Sequence, residues 1–486
     1  VSRLFVIFAA GLLVLAPLSP VFAIGGVDAP PPASAPHEVT FSQPKETKLA
    51  NGLRVIVVER PGLPLLAAEL LVRNGAEVDP KDLAGTASMT GSLLTRGTES
   101  MTAPEIANAI ETLGGTIDSG AHWEATRATV VVMSDKIEPA LRILADVVLH
   151  ATFKQDEIDR LKNQTMDGLR VALRQPGSLS QFVAGRALFG DAPYGHSHTG
   201  TMETVQAIKR EDIVKFYQTY YVPENAALIL SGNVTLEQGR KYAEQFFGDW
   251  KGAMPAAVEA PSSGVTEWKP SNIVIDMPEA GQAAVTVARP GIKRKSPDYY
   301  AGLVANAALG TGFVSRLNRE IRIKRGLSYG ARSSLDARRD VGPFAATAQT
   351  KNQSAAEVAA LMQTELKRLK SEPVAGDELK SRQAVLTGSY ARSLETNGGF
   401  VGKLSAMIAN DLPLETINKF IPSINAVTSA DVTAFAAKYF DSPLSLIIIG
   451  KAADFIAPLK KDFPDVKVIP VPELDLNRAD LTKAKP

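Results

Sequence analysis

Two segments of this chain, IKREDIVKFYQTYY (208–221) and VTSADVTAFAAKYF (427–440), align without gaps at an offset of 219 residues. Asp212 matches Asp431, Phe216 matches Phe435, Tyr220 matches Tyr439 and Tyr221 matches Phe440. Each segment leads into a β-rich run that ends at glycine, AALILSG in one case and LSLIIIG in the other. A cap-like Asp, an aromatic pattern and a following strand, twice in the same order, imply a duplicated domain, so any fold proposed for one half must also suit the other. With 486 residues, 45% of them hydrophobic, the chain is too long for one typical domain and rich enough to build more than one core.

A Pro-rich stretch with little apolar periodicity, KGAMPAAVEAPSSGVTEWKP, divides the chain into parts of comparable size. The expected organisation is a domain over 40–250, a linker over 251–271, a second domain over 272–470 and a tail over 471–486. Ahead of these, Arg3 precedes the apolar run LFVIFAAGLLVLAPLSPVFA, which is broken by Pro17 and Pro20 and closes on Val21-Phe22-Ala23, a small-x-small pattern. This predicts a signal peptide over 1–23, cleavage after Ala23 and a periplasmic or otherwise exported location. The alternative is an uncleaved anchor, since the run approaches the roughly 20 residues that a span needs. Residues 24–39, which begin IGGVDAPPPASAP, form a Pro/Ala-rich spacer.

Within the first half, LRVIVVER, LLAAELLVRNG and TRATVVVMS are expected strands. TAPEIANAIETLGG reads as a helix with a Thr102/Glu105 capping box and Gly114 past its end. Two further helices, KIEPALRILADVVLHA and KQDEIDRLKNQTMDGLRVALRQ, follow the last of these strands, the second stopping at Pro176. Helices grouped between runs of adjacent strands indicate an α+β fold rather than an alternating doubly wound sheet, with an antiparallel-rich mixed sheet in each half.

Composition narrows the function classes. Lys plus Arg (53) and Asp plus Glu (52) nearly cancel, so no global field steers the chain to nucleic acid, and no membrane partner is expected once the signal is removed. Without cysteine there are no disulfides, thiolate metal sites or cysteine nucleophiles. Only YGHSHTG brings two of the five histidines, His196 and His198, together; a loop turn and a structural metal are both open there, as are a strand edge and a ligand pair for His122 and Glu124 in HWEATR.

The run AGTASMTGSLLTRGT (84–98) has a small-residue start and a closing Gly97-Thr98. Its frame resembles the insulinase/pitrilysin type of zinc peptidase, an inverted zincin of the processing-peptidase-like group with the motif H-x-x-E-H. There the two His share one helix face and grip the metal while the Glu serves its bound water. Anchored on Gly97-Thr98, those positions fall on Ser88, Gly91 and Ser92. The family's third ligand, a Glu on a later helix, falls on Gly168 within FKQDEIDRLKNQTMDGL. The resemblance therefore implies a degenerate zinc site, with no metal bound by this chain. Gly91 admits two explanations, close packing or relaxed constraint.

In the second half, ANAALGTGFVSRLNREIRIKRGLSYGARS (305–333) is similar to the family's L-G-G-G-x-x-S-R-L and G-L-[AS]-Y-S pattern. The family's Arg and Tyr, seven residues apart and directed at the substrate, map to Arg322 and Tyr329. A guanidinium fork suits peptide carbonyls and a phenol adds a donor where an oxyanion develops. On spacing alone the plainer reading prevails, with Arg322 one solvated cation among Arg316, Arg319, Lys324 and Arg325 and Tyr329 a half-buried strand residue; the surrounding motif reverses that preference. Gly310 and Gly312 are candidate substrate-binding positions in a loop facing a peptide chamber, or an interhelical turn.

The resemblance implies a noncatalytic subunit that supplies Arg322 and Tyr329 in trans, with an H-x-x-E-H partner holding the zinc and unfolded peptides as substrates. The alternative is a homodimeric or monomeric peptide-binding or scaffold protein.

Overall fold

The computed structural model describes residues 40–255, 264–265 and 268–484. The expected signal peptide, the spacer and the middle of the linker lie outside the described residues.

Each half is built on a six-stranded mixed sheet. The first contains β1 (Lys45–Lys48), β2 (Arg54–Glu59), β3 (Leu65–Val72), β4 (Thr116–Ala121), β5 (Thr126–Met133) and β6 (Ala226–Gly232), in the order β1-β2-β6-β3-β5-β4. The second contains β7 (Asn272–Asp276), β8 (Ala283–Pro290), β9 (Ser328–Leu335), β10 (Pro343–Thr350), β11 (Ser445–Gly450) and β12 (Lys467–Pro470), in the order β12-β7-β11-β8-β10-β9. Removing β1 and β12 leaves the same order twice, with β6 and β11 each parallel to one neighbour and antiparallel to the other. The duplication read from the sequence is thus a duplication of topology. Only the extra edge strand differs, β1 pairing antiparallel with β2 and β12 parallel with β7.

The repeated helices are Arg210–Tyr220 and Ser429–Tyr439, still 219 residues apart. Asp212 and Asp431 play the same part, each carboxylate accepting from a backbone N–H at 2.8 Å, that of Lys209 and of Thr428. The Thr102/Glu105 capping box forms as expected, and Gly114 ends its helix at φ +66°.

One arrangement ties the halves together. Side chains on alternate strand positions go to opposite faces. In the first sheet Val55, Val57, Leu228 and Leu230 join the first half's own core, whereas Ile56, Val58, Ala227 and Ile229 pack against Phe400, Val401, Leu404 and Ile408. Those four residues belong to the helix Asn397–Ala409 of the second half. Reciprocally, Ile273, Ile275, Ile447 and Ile449 of the second sheet pack against Leu179, Val183, Leu188 and Phe189, on the helix Pro176–Phe189 of the first half. The halves exchange equivalent helices, and each sheet is buried on both faces for that reason. Polar contacts accompany the exchange, Ser180 with Thr286 at 2.6 Å and the Ser405 hydroxyl donating to buried Glu69. The C-terminal segment adds a strap: Thr201 donates to Asn477 at 2.9 Å, Arg186 donates to the Leu476 carbonyl at 3.0 Å, and Leu481 is buried.

An exchanged helix cannot be withdrawn without exposing an apolar sheet face. Residues 40–255 and 264–484 produced as separate polypeptides are therefore expected to be insoluble or aggregated alone, and to form a soluble one-to-one complex when co-expressed. Size-exclusion chromatography of the three preparations checks this, and a soluble, cooperatively melting single half would contradict it.

Candidate functional site

The helix Thr86–Leu93 carries the first three positions of the zinc motif. Its start is held by buried Asp79, whose two carboxylate oxygens accept from the N–H groups of Gly85 and Ala87 at 2.8 Å each. Burial drives this carboxyl well above the usual range, opposed by those same two hydrogen bonds. Ser88 and Ser92 are half-buried and Gly91 is buried.

Gly91 is where the helix meets β4. A Cβ added there would lie 2.8 Å from both the Ala121 nitrogen and the Gly120 carbonyl carbon. The helix therefore rests directly on strand backbone, and of the two explanations open for Gly91 the structure supports close packing. The second half repeats the contact. Gly310, 219 residues after Gly91, ends the helix Tyr299–Gly310, and a Cβ on it would stand 2.2 Å from the Ser333 nitrogen in β9. The position expected to hold a general base thus has the packing solution of the non-zinc half.

Gly168 is different. It is exposed on the helix Gln155–Leu173, with nothing within 4 Å of an added Cβ. A donor set of two hydroxyls and two glycines does not fit a zinc ion, which takes imidazole, thiolate or carboxylate ligands. Among the described residues no group of three or more His, Asp and Glu is arranged to hold a metal.

The Arg322/Tyr329 pair is presented on the second half. Arg322 lies on a wide-turned π-helical segment, Asn318–Ile323, in which Lys324 N–H donates five residues back to the Arg319 carbonyl at 2.9 Å. Tyr329 lies on β9, the edge strand of its sheet, and is 90% exposed. The Arg322 guanidinium carbon sits 4.7 Å from the Tyr329 ring centroid and 4.6 Å from that of Phe313, which is also exposed. This stacking keeps the guanidinium's N–H edge available to an acceptor.

Three of its four cationic neighbours are engaged in ion pairs, while Arg319 forms none among the described residues and reaches only the Val314 carbonyl at 3.5 Å. Arg316 forms a fork on Glu378 at 3.1 and 2.8 Å, while Lys324 and Arg325 both bind Glu320. Those partners hold the Glu320 carboxyl down at about 2, chiefly through the Lys324 hydrogen bond. Arg322 forms no ion pair among the described residues, which separates it from those three structural cations.

Sequence reasoning did not single out Phe313 or Asn318. Buried Asn318 donates to the Gly312 carbonyl at 2.9 Å and accepts from Ala331 N–H at 3.0 Å, so it ties the turn carrying Phe313 to the strand carrying Tyr329. Asn318, the one side-chain amide in a run of apolar and charged residues, was the available signal. Gly312 occupies that turn at φ +83°, a left-handed conformation natural to glycine, and is exposed. Gly310 lies inside the helix–strand contact rather than in the turn.

Three histidines gather elsewhere. His122 and His198 stack at 6.3 Å, and both His196 and His198 lie against Trp123. Burial lowers the pKa of all three, His196 to about 4, so they are neutral near pH 7.

Beside them a second-half arginine enters the first half. Arg339 donates to the carbonyls of Arg73, Glu124 and Ala409 at 3.0, 3.2 and 2.9 Å, and approaches the Glu77 carboxylate at 3.6 Å. Burial pushes the Glu77 carboxyl up to about 7 despite Arg339 and the Gly75 N–H bond at 2.7 Å. The folded chain then holds a proton that the unfolded chain has released between about pH 4.5 and 7, so stability falls as pH rises through that window. The loss from this group is on the order of 3 kcal/mol once pH exceeds 7. Glu77→Gln keeps one of the two acceptor oxygens, which take Asn74 Nδ2 and Gly75 N–H, and removes the charge; its melting temperature relative to the native chain is expected to be higher near pH 8 than near pH 4. Thermal melts across that range check this; an identical rise at both ends would assign the pH dependence to another group.

The profile of the Insulinase (Peptidase family M16) family matches residues 54–183, and the profile described as Peptidase M16 inactive domain matches residues 207–386. The chain is 27% identical to an uncharacterized zinc protease of Mycobacterium leprae, over 84% of this chain and 92% of that protein. It is 23% identical to one of Bacillus subtilis, over 83% and 97%. Among solved structures, a peptidase M16 inactive domain from Pseudomonas fluorescens superposes with a TM-score of 0.77 at 29% identity, covering 84% of this chain and 98% of that one. A protease from Helicobacter pylori also gives a TM-score of 0.77, at 20% identity, covering 84% and 100%.

Proposed function

The chain belongs to the insulinase family of peptidases, family M16, and from that premise we propose that it is the noncatalytic subunit of an exported, heterodimeric zinc peptidase. One observation carries this reading. The zinc-ligand positions carry no ligand and the general-base position, Gly91, is closed by strand backbone, while Arg322 remains stacked between exposed aromatics with no carboxylate among the described residues to neutralise it. An always-charged, pre-oriented donor fork is suited to a substrate acceptor.

In this reading an H-x-x-E-H subunit supplies zinc, water and base. This chain's Arg322 and Tyr329 donate to the carbonyl oxygens of an extended peptide, and Phe313 holds the guanidinium in place. The strands β4 and β9 each pair on one side only, so either offers an edge to which an extended peptide can add as a further strand. Such binding reads backbone before side chains and suits unfolded substrates of varied sequence.

The test is reconstitution. Affinity-tagged mature chain recovered from the exported fraction of its host is expected to bring down, at equal stoichiometry, a similar-sized subunit bearing H-x-x-E-H. The purified pair should cleave a quenched fluorescent peptide in a chelator-sensitive manner, and neither subunit should do so alone. Recovery of the chain with itself only, with peptide binding but no cleavage, would replace this reading by the peptide-binding alternative.

A further inference from the structure

Two cations, Arg294 and Lys403, line one cavity without a carboxylate between them. Arg294 follows β8, and Lys403 is on the helix exchanged onto the first sheet. The cavity measures about 190 Å³ and is also walled by Tyr299, Tyr390 and Phe420. The Arg294 guanidinium lies 3.7 Å from the Tyr299 ring centroid, and the Lys403 ammonium 5.5 Å from that of Tyr390. Stacking in this way fixes the guanidinium plane and leaves its edge donors for an in-plane acceptor.

The neighbouring carboxylates are committed elsewhere. Asp298 takes Lys438 and the Tyr439 hydroxyl, Asp411 takes Arg73 and Lys295, Asp340 takes Lys293, and Glu415 takes Lys419. Among the described residues no ion pair involves Arg294 or Lys403. Burial lowers the Lys403 pKa, and the charge of Arg294 lowers it further, so the two cations oppose each other across the cavity. Like charges gathered in a half-buried space destabilise the fold unless an anion joins them.

We propose that this cavity binds a small oxyanion, a carboxylate or phosphate group, between Arg294 and Lys403. Its volume lies below the roughly 300–1,000 Å³ of pockets for drug-sized ligands, which suits an oxyanion with a few waters rather than a nucleotide. Because Lys403 rides on the exchanged helix and Arg294 on the body of the second half, the anion would brace the seam between them.

The full-length mature chain is titrated with sodium phosphate by calorimetry and followed in thermal melts, at ionic strength held constant with chloride. In parallel, one short peptide is tested as its free acid and as its C-terminal amide. Saturable phosphate binding with a rise in melting temperature is expected, weakened about tenfold by Lys403→Gln or Arg294→Gln, the worth of one charge-assisted hydrogen bond. Lys403→Arg should retain binding. Without anion, Lys403→Gln should melt at the same temperature as the native chain or higher, because a repulsion has been removed. A response to the free acid but not the amide assigns a peptide carboxylate as the source, and a response to phosphate alone assigns free or esterified phosphate. Equal anion responses in the native chain and both Gln variants, or no saturable binding of any probe at millimolar concentration, would overturn the proposal.

Discussion

A chain carrying Ser88→His, Gly91→Glu, Ser92→His and Gly168→Glu, with the family's full ligand set written back in, is expected to bind no stoichiometric zinc and to lose about 4 kcal/mol of stability or more. The cost concentrates at one position. A Cβ on residue 91 lies 2.8 Å from two backbone atoms of β4, and that strand is paired with β5 along all six of its residues, so it cannot step aside freely. Overpacking costs typically 1–3 kcal/mol, and forcing a carboxylate into the same buried contact adds several more. Single substitutions separate the effects. Gly91→Ala should cost about 2 kcal/mol, and Gly310→Ala at least as much, since its Cβ would stand 2.2 Å from a strand nitrogen. Gly168→Ala, on an open helix face, should instead stabilise by up to about 1 kcal/mol. Denaturant unfolding of each variant, with metal analysis after dialysis against zinc, measures both halves of the expectation. Native stability together with one bound zinc per chain would show that β4 yields, and that the loss of the site is a matter of ligands alone.

The same position shows where sequence reading reaches its limit. The duplication was legible because both copies kept an acidic cap and aromatic spacing that one fold requires twice, and the capping box at Thr102/Glu105 was legible because local chemistry dictates it. Gly91 was ambiguous for a physical reason: a glycine demanded by an approaching backbone and a glycine left by relaxed selection look alike until the other backbone is in view. The strand it meets, TIDSGA, was missed, since it is polar and contains glycine and so lacks the β-branched alternation that marks a half-buried strand. The helix exchange was also missed. It was nevertheless foreshadowed in AALILSG and LSLIIIG, which read as continuous apolar runs because each is covered on both faces, one of them by the other half. At the candidate site the Arg322/Tyr329 spacing came through, but Phe313 did not, because its stacking on Arg322 depends on a turn held by Asn318 and on a π-helical segment that no simple periodicity announces.

Arg322→Ala, made in this chain alone, is expected to lower the turnover of the reconstituted peptidase on the order of 100-fold, the usual effect of removing one donor that acts on developing negative charge. Tyr329→Phe, which deletes a hydroxyl and keeps the ring, tests the second donor without disturbing the stack over Arg322. Neither change should unfold the chain. Tyr329 is 90% exposed and Arg322 forms no ion pair among the described residues, so the stability effect should stay below about 1 kcal/mol, the worth of an exposed cation–π contact. A loss of activity with unchanged melting and unchanged assembly therefore reports on the reaction. Its distribution between constants identifies the role: a fall in kcat with steady KM marks a donor engaged in the transition state, and a rise in KM alone marks one that only holds the peptide. Phe313→Ala should fall between them, lowering kcat less than Arg322→Ala because the guanidinium remains but loses one of the two rings that orient it. Full activity in a complex carrying both Arg322→Ala and Tyr329→Phe, with kcat and KM both unchanged, would exclude any trans contribution from this face, to transition-state stabilisation and to peptide holding alike.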